Sequence, residues 1–437
     1  MERIAISLKY GTGEIPINIP RKNLLAVFEQ KIPSQTSEPF RLIQQAVQSP
    51  LNAVPLEQWA RGKHLLILLS DATREVPNVW ILQNLLPVLH QAKFFQVLIT
   101  TGTHSWDSPD NLQLKQQLIA VLKSQPVPFK VSIHNATATQ WVDLGKTPAG
   151  TPIQVNTLIQ EAEHILIISD VKPHYFGGYS NVVKHIVPGI CSLTTAERNH
   201  SWTLDPRSRA VYHPWHKQPQ RRDNPLAKDM VDAFQRIVQG KSVWALGIIT
   251  YHNHLLWAAG GHPQEVMQAA FEQADRWMAM PAIPADALIV SPGGYPHDES
   301  LYIAQRALEL SRPALKSGGR LLFVSECRNG IGSSSAVTRF YEPLLPENRK
   351  LLTNYTRENY TLYIHKPIRL WRLIQETQFL GMKTALAPNL LQNIHIAPVG
   401  DVQKTLEQWI RENPEITINV VKDGNKLALY AGYRRAI

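Results

Sequence analysis

The chain has 437 residues, 44% of them apolar, and Lys plus Arg exceed Asp plus Glu by 45 − 35 = 10. That length predicts two domains rather than one core, and the lack of any run of about 18 or more apolar residues argues against a membrane-spanning helix. The basic residues are scattered; their densest cluster (Lys217, Arg221, Arg222, Lys228) carries no aromatic stacking pattern, which points away from nucleic acid and towards small anionic ligands.

The first residues alternate like a strand and lack the apolar core and cleavage site of a signal peptide, so a cytoplasmic protein is expected. Two cysteines, Cys191 and Cys327, neither in a CxxC pair, fit a reducing compartment and argue against a cysteine zinc site.

In chain order, residues 1–20 read as a β-hairpin about a GTGE turn, and 21–60 as helix and loop. HLLILL (64–69) is a continuous apolar run of the kind buried in a parallel sheet. Helical spacing follows over 79–92, a second strand over 94–100 and a helix over 114–124. Residues 130–134 and 151–156 suggest a short strand pair. A third buried strand, around Ile165–Ile168, empties into a loop bearing Pro173, His174, Gly177, Gly178 and Lys184. Residues 200–230 are polar and Pro-rich, and Asn224 or Asp223 caps a helix starting near Pro225.

A strand over 241–250 and a helix over 263–279 lead into MPAIPAD, whose two prolines mark a domain boundary. The expected domains are 1–278, binding a cofactor, and 279–437, a second α/β unit closing over the site. The second unit has strands at 286–291, 318–325, 416–421 and 427–432. The fold class is α/β, with largely parallel sheets and an active-site cleft between the domains.

Five apolar strands each end in a polar or glycine-containing loop: SDATR (70–74), TGTH (101–104), SDVKPHYFGGYS (169–180), SPGGYPHD (291–298) and SECRNGIG (325–332). Parallel sheets place such loops along one edge, where ligands bind. Asp71 either caps the next helix or works with Arg74, whose guanidinium can hold a carboxylate or phosphate through two bonds. His104 is either a surface polar residue or a general acid or base. His174 lies between a stiffening proline and two glycines that let backbone approach a ligand. Lys184, among Val182, Val183, Ile186 and Val187, is either a surface lysine or a desolvated covalent anchor. His185 reads as structural, and His200 as a candidate single-histidine metal ligand. No HExxH, GxxxxGK[ST] or GxSxG occurs, and no GxGxxG follows the first strand, so zincin, P-loop, hydrolase-elbow and ordinary Rossmann readings lack their signatures. The residues alone support an anion-binding and metal-capable site without naming its reaction.

The series SDATR, GTH, VKPHYFGGYSNVVKHIVPG, RNH, NPLAKDM, GGYPHD and SECRNGIG, in this order, resembles the nickel-dependent lactate racemase family over most of the chain. The resemblance implies a nickel-pincer nucleotide, a pyridinium mononucleotide with two thio groups, tethered to Lys184, with His200 as the protein ligand to nickel. It implies His104 and His174 as an acid/base pair on opposite faces of a 2-hydroxyacid, and racemisation or epimerisation by hydride transfer through the cofactor. Asp71 and Arg74 would orient substrate or cofactor, Tyr295 and Asp298 would shape the substrate pocket, and cofactor-biosynthesis enzymes would act as maturation partners. The chain departs from the family at Ser180–Asn181–Val182–Val183, where a glycine-rich run is usual, and at Glu75, where proline is usual. Two other classes compete: a hydrolase or lyase using a simple divalent metal and the same histidines, and a non-catalytic binder of nucleotides or small acids.

Overall fold

The computed structural model describes residues 2–33, 38–74, 76–251 and 254–432. It divides into two compact units, one of residues 33–274 and one joining 1–32 to 275–437. Glu75 lies outside the described residues.

The 33–274 unit is built on a six-stranded sheet in the order His254–Gly261, Ser242–Tyr251, His164–Asp170, His64–Ser70, Phe94–Thr100, Phe129–Ile133. Every pairing is parallel except that between the first two strands. The apolar run 64–69 is buried on both faces, as a central parallel strand requires. Leu65, Ile67 and Leu69 join a core with Ile81, Leu82 and Leu85 of the Asn78–Leu89 helix, while Leu66 and Leu68 are buried on the opposite face. From His64–Ser70 the chain steps outward through Phe94–Thr100 and Phe129–Ile133, then returns to lay His164–Asp170 on the other side of His64–Ser70. That reversal is a topological switch point, and it opens a crevice at the carboxyl ends of these two strands.

Phe129–Ile133 extends this sheet, and Pro152–Val155 pairs antiparallel with Val142–Lys146 instead. The expected pairing of 130–134 with 151–156 is thus replaced. Ser242–Tyr251 and the Pro263–Met278 helix form as expected. Asn224, not Asp223, caps the Pro225–Ile237 helix, its side chain accepting from the Ala227 amide.

The second unit carries an all-parallel six-stranded sheet in the order Ala397–Pro398, Phe379–Lys383, Leu315–Val324, Ala285–Val290, Ile418–Val421, Leu24–Phe28. The strand Leu24–Phe28 corrects the reading of 21–60 as helix and loop. It also corrects the boundary of the first domain at residue 1, because it completes the edge of the C-terminal sheet beside Ile418–Val421. The hairpin ahead of it, Arg3–Tyr10 with Gly13–Pro20, forms in full register. Its inward positions Ile6, Leu8, Ile17 and Ile19 join Ile289, Leu322, Leu406 and Val420 in one core. Asn23 fastens the junction, its amide donating to the carbonyls of Pro414 and Ile416 at 2.9 Å each. No helix among the described residues is long and apolar enough to cross a membrane.

Leu8→Ala tests this placement of the hairpin. Truncating a fully buried leucine is expected to lower stability by about 2–5 kcal/mol, read by equilibrium urea unfolding; a change near zero would place the hairpin outside the core.

Candidate active site

The strand His64–Ser70 delivers Asp71 at its carboxyl end. The Asp71 side chain is 2% exposed and accepts at Oδ2 from His104 Nδ1 at 2.5 Å. Thr73 Oγ1 donates to Asp71 Oδ1 at 2.8 Å, and Arg74 Nε stands 3.8 Å from the same oxygen. Burial raises the Asp71 pKa, but the hydrogen bond and charge of His104, with Arg74 and Thr73, outweigh it, so the group stays below the ordinary carboxylate value. Buried Asn111 ties the two loops together, accepting from Ala72 N and donating to Ser105 O. Asp71 therefore supports His104 from beneath. Arg74 keeps a side chain 40% exposed, leaving guanidinium edge for an anion.

The strand His164–Asp170 delivers a second carboxylate. Buried Asp170 pairs through Oδ2 with Lys172 Nζ at 3.1 Å. Burial raises its pKa, and Lys172, Arg74 and His185 pull it below the ordinary value. The chain then makes a narrow turn in which Pro173 faces Tyr179 and His174 faces Gly178. Gly177 N–H donates to His174 Nδ1 at 3.1 Å. Gly178 is required here: its φ is +75°, and an added Cβ would collide with the Tyr212 carbonyl. Val211, at φ +60°, is a β-branched residue in the left-handed region. Its N–H donates to Gly178 O at 2.8 Å, and its C=O accepts from Nε and Nη2 of buried Arg221 at 2.9 and 2.7 Å.

Asn181 caps the short helix Val182–Ile186, which carries Lys184. Val182 and Val183 are fully buried, so apolar side chains fill the space that glycines would leave open. The Lys184 amine is pushed down to about 7, first by burial, then by Arg74; Asp170 opposes this and Lys172 adds to it. None of the ion pairs among the described residues includes Lys184. His200 ends the Leu193–His200 helix, and its Nδ1 donates to Ala196 O at 2.9 Å, which leaves the lone pair on Nε2. Burial, with a smaller effect of Lys184, holds its pKa down to about 4, so the ring is neutral at physiological pH.

Three of these side chains converge on one aromatic ring. Phe176 lies 4.5 Å from the His174 ring, 5.5 Å from the His200 ring and 5.9 Å from Lys184 Nζ, measured to its centroid. His185 is buried and bonded through Nδ1 to Thr100 Oγ1 at 2.9 Å, in keeping with a structural role.

Tyr295 and Asp298 belong to the other unit. Tyr295 is half exposed beneath the Arg328 guanidinium, 5.0 Å from its ring. Asp298 is fully buried, and its Oδ2 accepts from the amides of Gly11 and Glu326 at 2.7 and 3.1 Å. That carboxylate fastens the hairpin turn to a strand-end loop. Sequence reasoning missed Thr73, Phe176 and the Asp170–Lys172 pair. A hydroxyl two residues after Asp71 and opposite charges flanking Val171 were the available signals; nothing in the sequence marks Phe176 as the shared wall.

The donor at His200 Nε2 and the amine of Lys184 are groups that could hold a metal-bearing organic cofactor. Among the described residues no group of three or more His, Cys, Asp or Glu could hold a metal ion. A metal bound through the neutral His200 Nε2 would draw its remaining donors from a cofactor, and Lys184 offers an unpaired amine beside it.

The fold and this crevice define an α/β protein of two parallel-sheet units with a lysine–histidine site at the switch point of the first. Models of the lactate racemase N-terminal domain and C-terminal domain match residues 10–211 and 280–428. Together they take in most of the chain, which belongs to the lactate racemase family. Among its relatives are the lactate racemase of Thermoanaerobacterium thermosaccharolyticum, 24% identical over 96% of this chain and 97% of that protein. That of Lactiplantibacillus plantarum is 24% identical over 96% of this chain and 98% of that one. The fold resembles the structure of the T. thermosaccharolyticum lactate racemase apoprotein, with a TM-score of 0.80 at 22% identity over 98% of this chain and all of that one. A Thermotoga maritima crystal structure is more distant, with a TM-score of 0.58 at 16% identity, covering 91% of this chain and 100% of that one.

The buried histidines make stability depend on pH. His185 and His200 titrate near 4 in the folded chain, first because burial disfavours their charged form, and near 6.5 when unfolded. Between those values the unfolded chain binds more protons, so stability is full above about pH 6.5 and falls as pH drops towards 4. Urea midpoints at pH 7.5 and pH 5 are expected to show this loss, and His185→Gln to reduce it; equal midpoints in the parent protein would contradict the assignment.

Proposed function

We propose that the protein is a racemase or epimerase of a 2-hydroxyacid, lactate or a larger homologue, working with a nickel-pincer nucleotide. Lys184 would carry the cofactor covalently, and His200 Nε2 would ligate nickel, a metal that accepts imidazole and sulfur donors. When bound, the group supplies an acceptor for the Cα hydrogen and its electron pair. The observation that carries this reading is the Lys184 amine, held near neutrality without an ion pair and sharing the Phe176 ring with His174 and His200. An amine uncharged for part of the time at pH 7 can be acylated, whereas an ion-paired ammonium cannot.

The chain's other residues supply the remaining needs. His104 takes the hydroxyl proton at Nε2, and the Asp71 carboxylate stabilises the imidazolium so formed. His174 addresses the substrate oxygen from a second side. Arg74 receives the substrate carboxylate. Family membership and two relatives named as lactate racemases support the reaction class. The lack of a multi-residue metal cluster among the described residues weakens a simple metal-dependent hydrolase or lyase. Tyr295 and Asp298 remain candidates for shaping the pocket, and the reading does not depend on them.

Co-expression with cofactor-making enzymes is expected to add the mass of the nucleotide to the full chain, and Lys184→Ala to abolish the adduct. No adduct on the parent chain would refute the tether. His200→Ala is expected to keep the adduct while losing nickel by elemental analysis. His104→Ala and His174→Ala are expected to keep the adduct while losing racemisation about 10²–10⁴-fold, followed by chiral chromatography over a panel of 2-hydroxyacids. Full activity in either variant would remove that residue from the reaction.

A further inference from the structure

His104 and His174 sit in opposite hydrogen-bonding surroundings. His104 Nδ1 meets the Asp71 carboxylate, an acceptor kept ionised, so Nδ1 carries the ring proton and Nε2 the lone pair. His174 is the reverse. Its Nδ1 faces the Gly177 amide, which can only donate, so Nδ1 holds the lone pair and the neutral ring's proton sits on Nε2.

The peptide that presents this amide is itself held. Its carbonyl, Phe176 O, accepts from Asn224 Nδ2 at 2.9 Å. The same nitrogen lies 3.0 and 3.1 Å from the carbonyls of Arg209 and Tyr212, and Asn224 Oδ1 accepts from Ala227 N at 3.0 Å. Asn224 is 1% exposed and every polar atom of its side chain is engaged. In a planar trans peptide the N–H points opposite the C=O. Holding Phe176 O from one side therefore aims Gly177 N–H at His174 from the other.

We propose that Asn224 is a positioning residue which, through the Phe176–Gly177 peptide, holds His174 as an Nε2–H hydrogen-bond donor, while Asp71 holds His104 as an Nε2 acceptor. The two histidines are then unlike partners at rest. The bearing of this on racemisation rests on the function proposed above; the tautomers themselves do not. His104 takes the hydroxyl proton on Nε2 and becomes an imidazolium still bonded to Asp71. His174 donates a hydrogen bond to the substrate oxygen and keeps its proton, since releasing it would leave an imidazolate. For His174 to accept a proton on Nε2, its own must first move to Nδ1, which breaks the Gly177 bond. Two enantiomers have equal free energy, so kcat/KM must be the same in both directions. The inequality can appear only as kcat and KM that differ together between them.

The test uses the full chain labelled with 15N-histidine and two-bond 1H–15N correlation spectra, which read each ring's tautomer. The signals are assigned by their loss in His104→Gln and His174→Gln. The expected result is Nδ1–H at His104 and Nε2–H at His174; the same tautomer at both overturns the proposal. Asn224→Asp keeps an acceptor for the Ala227 amide but cannot donate to Phe176 O. It is expected to shift His174 towards Nδ1–H or a mixture and leave His104 unchanged. An unchanged His174 in the folded variant removes Asn224 from the role. Asn224→Ser, which also caps helices, repeats the comparison if the aspartate variant does not fold. Loss of racemisation in the parent holoenzyme would overturn the racemase reading alone, because the tautomers are measured without it.

Discussion

The site depends on an amine withdrawn from water with no carboxylate assigned to it. Moving an ammonium out of water is costly unless a counter-charge accompanies it. Here the carboxylate that acts on the amine, Asp170, already has a partner in Lys172. The Arg74 and Lys172 charges reinforce the effect of burial on Lys184, and Asp170 only partly opposes them. The amine meets that cost by giving up its proton near pH 7. A carboxylate at salt-bridge distance would have kept the amine protonated.

Chain topology makes this arrangement affordable to build from separate stretches. Asp71 and Arg74 follow one central strand, Asp170 to Lys184 follow its neighbour, and His104 follows the strand on the other flank. Because the connections leave the two central strands in opposite directions, their carboxyl ends are the place where a ligand can enter. The loops that meet there are braced from below by buried polar residues: Asn111 under the Asp71 and His104 loops, Asn224 and Arg221 under the His174 turn. Each brace bonds to backbone, so the geometry survives changes in neighbouring side chains.

Much of this was legible in the sequence, for physical reasons. A strand buried on both faces must be apolar throughout, so 64–69, 94–100 and 165–168 announced themselves, and so did the polar loops where burial ends. His104 and His174 stood out because titratable groups in loops at strand ends are rarely needed for packing, and Lys184 because its neighbours are apolar; His200 stood out mainly through the family resemblance. Other features left weaker traces. Leu24–Phe28 is five residues of edge strand, too short to show a period, and its partner Ile418–Val421 lies almost the whole chain away. Phe176 is buried like an ordinary core residue, and nothing in the sequence sets it apart. The stretch 200–230 read as polar and Pro-rich, yet it places Val211, Arg221 and Asn224 beneath the His174 turn; most of their bonds run to main-chain atoms, which composition does not reveal. The SNVV segment departs from the family's glycine-rich run, and its two valines are fully buried.

The stitching of residues 1–32 into the C-terminal sheet has a consequence for synthesis on the ribosome. The hairpin emerges well before the strands that cover Ile6, Leu8, Ile17 and Ile19. At about 5–20 residues per second, the intervening segment takes tens of seconds to translate. The 33–274 unit can complete itself during that interval, since all its strands are contiguous in the chain. The nascent hairpin cannot, and its apolar face stays uncovered until those strands follow.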